Sequence, residues 1–215
     1  MEAPPVASAT ALTPTQVRGI GTVAFLCVLA FAAVATALQG VRVDLDWVRA
    51  PLSFYLVGPH AWWLQAAYLA LAIALAMLGA GYYGASPGTS RRTLPMLLFV
   101  VGALALGVTA LAETDLGDGR VRTTAAYVHA IAAPIAFLGT TLGMLAQSWR
   151  FRADPRWQRH FAMAFGLAVF CFIALWVHAL WRELPRGLSQ KVVIVAILVW
   201  LALAAHWLRR SPVST

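Results

Sequence analysis

Residues 161–181 read FAMAFGLAVFCFIALWVHALW, with no Asp, Glu, Lys or Arg and a single ionisable imidazole, His178. A bilayer core about 30 Å thick needs roughly 20 such residues in a helix. Five further stretches follow the same pattern: Ile20–Leu38, Ala61–Tyr83, Leu94–Leu111, Thr123–Gln147 and about Leu188–Leu208. The only formal charge in any of them is Lys191, in the first turn of the last, where it is expected to snorkel outward. The sequence therefore predicts an all-α, polytopic transmembrane bundle of six spans.

Breakers separate the spans. Ser86-Pro87-Gly88 divides the second from the third, Pro95 suits the third's first turn, Asp118-Gly119 lies in the next connector, and Leu184-Pro185-Arg186-Gly187 precedes the last. Gly139 and Gly143 form a Gly-x-x-x-Gly pair that permits close helix approach, and Pro134 is expected to kink the same span. The expected organisation is a flexible cytoplasmic tail over 1–16, a transmembrane domain over 17–208 and a short cytoplasmic tail over 209–215. Thr13 or Thr15 should start the first helix. Ala35-Thr36-Ala37 has the look of a signal-peptide cleavage site, but the long proline-rich segment before it favours a retained span. No internal repeat is visible, which disfavours a transporter of inverted halves, as does the lack of a midplane carboxylate.

Hydrophobic residues make up 61% of the chain and charged residues 11%, against about 45–50% and 25% in soluble domains. The net charge of +8 does not signal nucleic acid, because the cations lie in short loops without a basic stripe. One side carries Arg18, Arg91, Arg92, Arg150, Arg152, Arg156, Arg159, Arg209 and Arg210. The other carries Arg42, Arg49, Arg120, Arg122, Arg182, Arg186 and Lys191. The richer side is read as cytoplasmic, so both termini are expected inside, with membrane lipids as the surrounding partners. Trp47, Trp62, Trp63 and Trp181 are expected as an outer belt, and Tyr82, Tyr83, Trp149, Trp157 and Trp207 as an inner one. Cys27 and Cys171 read as packing residues.

That orientation gathers the unusual polar residues on the outward rim. Loop one, with Pro51, Gly58 and Pro59, is too apolar for free solvent and is expected to hug the membrane surface. Glu113 and Asp115 close the third span. His129 lies about six residues into the fourth, roughly 9 Å deep, and His178 one turn from the end of the fifth. Ser53, Tyr55, His60, Glu113, Asp115, His129 and His178 are the candidate ligand-binding residues. An ionisable residue inside a span ordinarily faces the bundle and has a partner, although an imidazole bonded to a neighbouring helix meets that requirement without a ligand.

Pro51-Leu52-Ser53-Phe54-Tyr55 with Gly58, Thr114-Asp115 with His129, and Gly187-Leu188 resemble the prokaryotic membrane family catalogued as domain of unknown function 998. The resemblance runs from about Val17 to Leu208. It implies a six-helix membrane domain, here in the prokaryotic cytoplasmic membrane, and no defined activity. Phe54 and Ala112-Glu113 depart from its pattern.

Two functions compete. One is binding of a lipid or other amphipathic ligand at the outer boundary. The other is a metal-dependent intramembrane hydrolase of a lipid amide or ester, with zinc on His60, His129 and His178, and Ser53 and Asp115 as catalytic residues. That inventory is similar to that of the alkaline ceramidase and adiponectin-receptor superfamily, whose seven-helix layout and paired histidines of the last helix are missing. Haem on His60 and His129 is disfavoured, because a second pair across the membrane is missing.

Overall fold

The computed structural model describes residues 12–86, 93–116 and 122–210. Six helices are present among them: α1 (Pro14–Val41), α2 (Ala61–Ala85), α3 (Thr93–Leu111), α4 (Thr124–Phe151), α5 (Phe161–Leu180) and α6 (Arg186–Arg209). All six are long and apolar enough to cross a membrane. The all-α expectation holds, with no strand among the described residues. Short 3-10 turns occupy Leu52–Leu56 in loop one and Gln158–His160 before α5.

Helix ends follow local chemistry. Thr13 caps α1 in a reciprocal box, its hydroxyl accepting from Gln16 N at 3.3 Å while Thr13 N donates to Gln16 Oε1 at 2.9 Å. Pro14, without an N–H to satisfy, opens the first turn. The helix thus begins inside the stretch expected as a tail. The rest of that tail, through residue 11, lies outside the described residues, as do Pro87, Gly88, Arg91, Arg92, Asp118, Gly119, Arg120 and 211–215. Thr123 caps α4 through Ala126 N at 3.1 Å. Pro134 lies within α4, which continues as one helix on both sides of it.

Each helix packs on its neighbours in sequence, and α6 closes on α1, so the bundle is a ring in chain order with α2 also reaching α6. Hydrocarbon gives helices no hydrophobic reason to associate, so close backbone contact and hydrogen bonds carry the packing. The Gly-x-x-x-Gly expectation is met between α3 and α4. A Cβ on Gly139 would lie 2.9 Å from the Gly102 nitrogen, and one on Gly143 would lie 3.1 Å from the Phe99 ring. Polar ties join other helices: Tyr82 donates to Ala204 O at 2.8 Å, and Trp200 Nε1 to Ala164 O at 3.0 Å. Large apolar side chains such as Leu26, Ile73, Leu104, Ile131 and Val195 cover the outside of the ring.

The aromatic belt needs one correction. Trp47, Trp62, Trp63, Trp181 and Trp149 are exposed as belt residues should be, but Tyr82, Trp157 and Trp207 are buried. The α4–α5 connector causes this by folding back over the end of the bundle. Trp157 packs against Tyr82 at 5.0 Å and Phe151 at 5.9 Å between ring centroids. Arg156 holds the connector down, donating to Ala85 O at 2.8 Å and pairing with Asp154 at 2.7 Å. Burial pushes the Asp154 carboxyl up, but the hydrogen bonds from Arg156 outweigh it and hold the group below its ordinary range.

The α3–α4 contact yields a test. Gly139→Val must overpack against the Gly102 backbone, which cannot move aside as a flexible side chain would. The expected loss is about 1–3 kcal/mol, read as a lowered melting temperature in detergent. Gly166→Ala, where a Cβ meets nothing within 4 Å, should leave the melting temperature unchanged or raised.

Candidate functional site at the loop-one end

Loop one is built on Arg42, just beyond α1. Its guanidinium grips Asp44 through Nε and Nη2, both at 2.8 Å, and Nη1 donates to Val57 O at 2.7 Å and Pro59 O at 3.3 Å. The residue is 4% exposed, so these bonds take the place of water. They also keep Asp44 below the ordinary carboxylate range, chiefly through the hydrogen bond from Arg42. Gly58 at φ +83° and His60 at φ +64° turn the chain into α2. Glycine takes that left-handed backbone freely, whereas a residue with a Cβ is strained in it.

The other half of the loop docks on α6. Carbonyls of Arg49 and Val48 accept from Gly187 N at 3.0 Å and Leu188 N at 2.8 Å, satisfying two first-turn donors of the helix. Gln190 Oε1 accepts from Leu52 N at 2.7 Å. Lys191, near the start of α6, reaches toward the loop-one end, where its ammonium donates to Trp47 O at 2.6 Å and Ala50 O at 2.8 Å. Any side chain at Gly187 would run into the Ala50 carbonyl. Loop one is therefore a fitted cap, with its own Leu52, Tyr55 and Leu56 buried.

The expected site residues fall into separate groups. Tyr55 is fully buried, its hydroxyl has no hydrogen-bond partner among the described residues, and burial pushes the phenol above its ordinary range. The Lys191 ammonium lies 5.6 Å from its ring centroid. Ser53, half-buried in the neighbouring 3-10 turn, does not cap a helix. Asp115 is committed to the start of α4: Oδ2 accepts from Thr123 N at 2.9 Å and Oδ1 from the Thr123 hydroxyl at 3.0 Å. Glu113 and Asp115, with Val57, Thr114 and Thr123, line a hollow of about 370 Å³. Arg122 does not pair with Asp115 but lies 5.5 Å from the Tyr127 ring.

The two intramembrane histidines each hold a neighbouring helix end. His129 Nδ1–H donates to Ala112 O at 2.8 Å, tying α4 to the end of α3. His178 Nδ1 meets Ser189 Oγ at 2.8 Å. The Ser189 hydroxyl also lies 2.9 Å from Pro185 O; with its proton donated there, the imidazole is the donor to Ser189. Arg186 donates to the His178 carbonyl at 2.6 Å.

The three histidines do not assemble into a zinc ligand set. Among the described residues no group of three or more His, Cys, Asp or Glu is placed to hold a metal ion. Ring order is the physical reason: α2, which carries His60 at its start, stands across the bundle from α5, which carries His178. His60 and His129, the haem pair, stand on helices separated by α3.

The described geometry spans a region that a family model also recognises, matching residues 25–207. The chain belongs to DUF998, the proteins of unknown function. The match covers most of the stretch, about Val17 to Leu208, over which the sequence resembles that family. No curated protein and no solved structure matches the chain.

In this DUF998 chain the loop-one end is organised by Arg42, Gly187, Ser189, Gln190 and Lys191, which in the sequence stand out as charges, turn signals or span residues and, for Gly187, as part of a family motif. The signal for Arg42 was local: an Arg leaving a span with an Asp two positions later can close a bidentate ring on itself.

Arg42→Met should cost about 2 kcal/mol, because it strands the Val57 carbonyl. The pH dependence follows from Asp44. Its depressed folded pKa contributes stability that is present above the ordinary carboxylate range and lost as pH falls through the lower folded value. Melting temperatures in detergent from pH 7 to pH 2 should therefore fall less steeply in the Arg42→Met protein than in the wild type.

Proposed function

We propose that this DUF998 chain is a multi-pass protein of the prokaryotic cytoplasmic membrane, with both termini inside, that binds an amphipathic, lipid-like ligand at its outward end. The observation that carries this reading is a trough of about 380 Å³ between α5 and α6. Phe170, Ile173, Val177, Leu188 and Val192 line its length, and the His178–Ser189 pair stands at its loop-side end. An apolar channel that ends on a hydrogen-bonded polar pair matches the two halves of an amphipath, with the chain along the helices and the head at the boundary. With Nδ1–H donated to Ser189, His178 keeps Nε2 as an acceptor for a head-group hydroxyl or amide. A second apolar trough of about 410 Å³ lies between α1 and α2, with His60 and Trp63 on its wall.

Loop one supports the same reading. Its docking on Gly187, Leu188 and Lys191 fixes the first turns of α6, so the wall of the trough that carries Ser189 is held in place. A rigid wall lowers the ordering cost of binding.

The test is native mass spectrometry of protein released from mild detergent. The wild type should retain a lipid-mass adduct, and Ile173→Trp, which fills the trough, should lose most of it. His178→Ala should weaken retention by about tenfold, the effect of roughly 1.4 kcal/mol from one hydrogen bond. A wild-type spectrum free of adducts, or adducts indifferent to Ile173→Trp, would overturn the proposal.

A further inference from the structure

The end of the bundle opposite loop one holds a cleft of a different character. It has a volume of about 190 Å³ and lies between the α4–α5 connector and the last turn of α6. Its walls carry Arg156, Arg159, His160, His206 and Arg210. The His160 ring is stacked on Trp207, with 4.3 Å between centroids and 9° between planes.

Hydrogen bonds assign the protons. Arg159 Nε donates to His160 Nε2 at 3.1 Å, which leaves the imidazole proton on Nδ1. Arg209 donates to His206 Nδ1 at 3.1 Å, which leaves that ring's proton on Nε2. Each ring therefore retains one N–H donor. Arg156 is already satisfied by Asp154 and the Ala85 carbonyl. The Arg210 guanidinium and the terminal nitrogens of Arg159 take no hydrogen bond or ion pair among the described residues.

Compensating acid is scarce here. Of the eight acidic residues in the chain, only Glu2 and Asp154 fall on this side of the spans, and Asp154 is locked to Arg156. Gathering cations around one hollow raises their mutual repulsion unless an anion joins them. A topology signal needs no such gathering: Arg152 meets the same requirement from a separate place, 4.3 Å over the Trp149 ring.

We propose that this cleft binds a phosphoryl group, held by the Arg159 and Arg210 guanidinium groups and by the N–H donors of His160 and His206. The donor set suits that chemistry. Guanidinium forks bind phosphate oxygens in bidentate pairs, and neutral imidazole N–H groups add directed donors without further charge. The phosphoryl group has two sources at a membrane boundary: a free phosphate, or the head group of an anionic lipid. The site is independent of the α5–α6 trough.

Two arms test it on the full chain. In detergent, inorganic phosphate is titrated and followed by phosphorus NMR line broadening. In nanodiscs, melting temperature is compared between phosphatidylglycerol and phosphatidylcholine. Wild type should bind phosphate, gain stability in phosphatidylglycerol, or do both, and the responding arm identifies the source. Arg159→Gln with Arg210→Gln should weaken that response at least tenfold while melting normally in phosphatidylcholine. Should that variant fail to fold, Arg159→Lys with Arg210→Lys keeps the charge, loses the forks and should still bind several-fold more weakly. Silence in both arms, or a response undiminished in the variant that folds, overturns the proposal.

Discussion

Everything in this molecule follows from the cost of an unpaired polar group in hydrocarbon, several kcal/mol for each backbone N–H or C=O. That cost makes every crossing a helix. It also dictates how the crossings meet, because lipid removes the hydrophobic incentive for helices to associate. What remains is close backbone approach, as at Gly102 and Gly139, and specific bonds such as Tyr82 to Ala204 and Trp200 to Ala164. A ring in chain order is the arrangement that short connectors allow, and the contact of α6 with α1 closes it.

The same cost explains the two ends. Helix termini leave orphan donors and acceptors, and the connectors are built to meet them. Loop one supplies carbonyls to the first turn of α6 and takes up the Lys191 ammonium, while Asp115 and Thr123 finish α4, and His129 occupies a carbonyl just past α3. At the opposite end Arg156 reaches the last turn of α2 from the α4–α5 connector. Among the candidate site residues, Asp115, His129 and His178 each make a hydrogen bond at a helix end. The groups that keep unused hydrogen-bonding capacity are of more functional interest: the Nε2 of His178 at the mouth of the trough, and the arginines of the opposite cleft.

The fold was legible because it is written in composition and length. An uninterrupted apolar run such as Phe161–Trp181 has one stable solution in a bilayer. The site was legible only as a set of residue types at a common depth. Depth places Ser53, His60, Asp115, His129 and His178 near one boundary but says nothing of their azimuth, and azimuth around the ring separates His60 from His178. Aromatics showed the same limit. A Trp near a span end reads as a belt residue, and Trp157 became core because its connector folds inward.

The sequence by itself determined the six crossings, a threonine start for the first helix at Thr13 or Thr15, the close approach through Gly139 and membership of DUF998, because each depends on local runs and spacings along one segment. Only the tertiary structure decided the ring order, the docking of loop one on α6, the pairing of His178 with Ser189 and the cleft between Arg159 and Arg210. Those features depend on the rotation of each helix about its own axis. Rotation is set by contacts between segments far apart in the chain, and no single span carries that information.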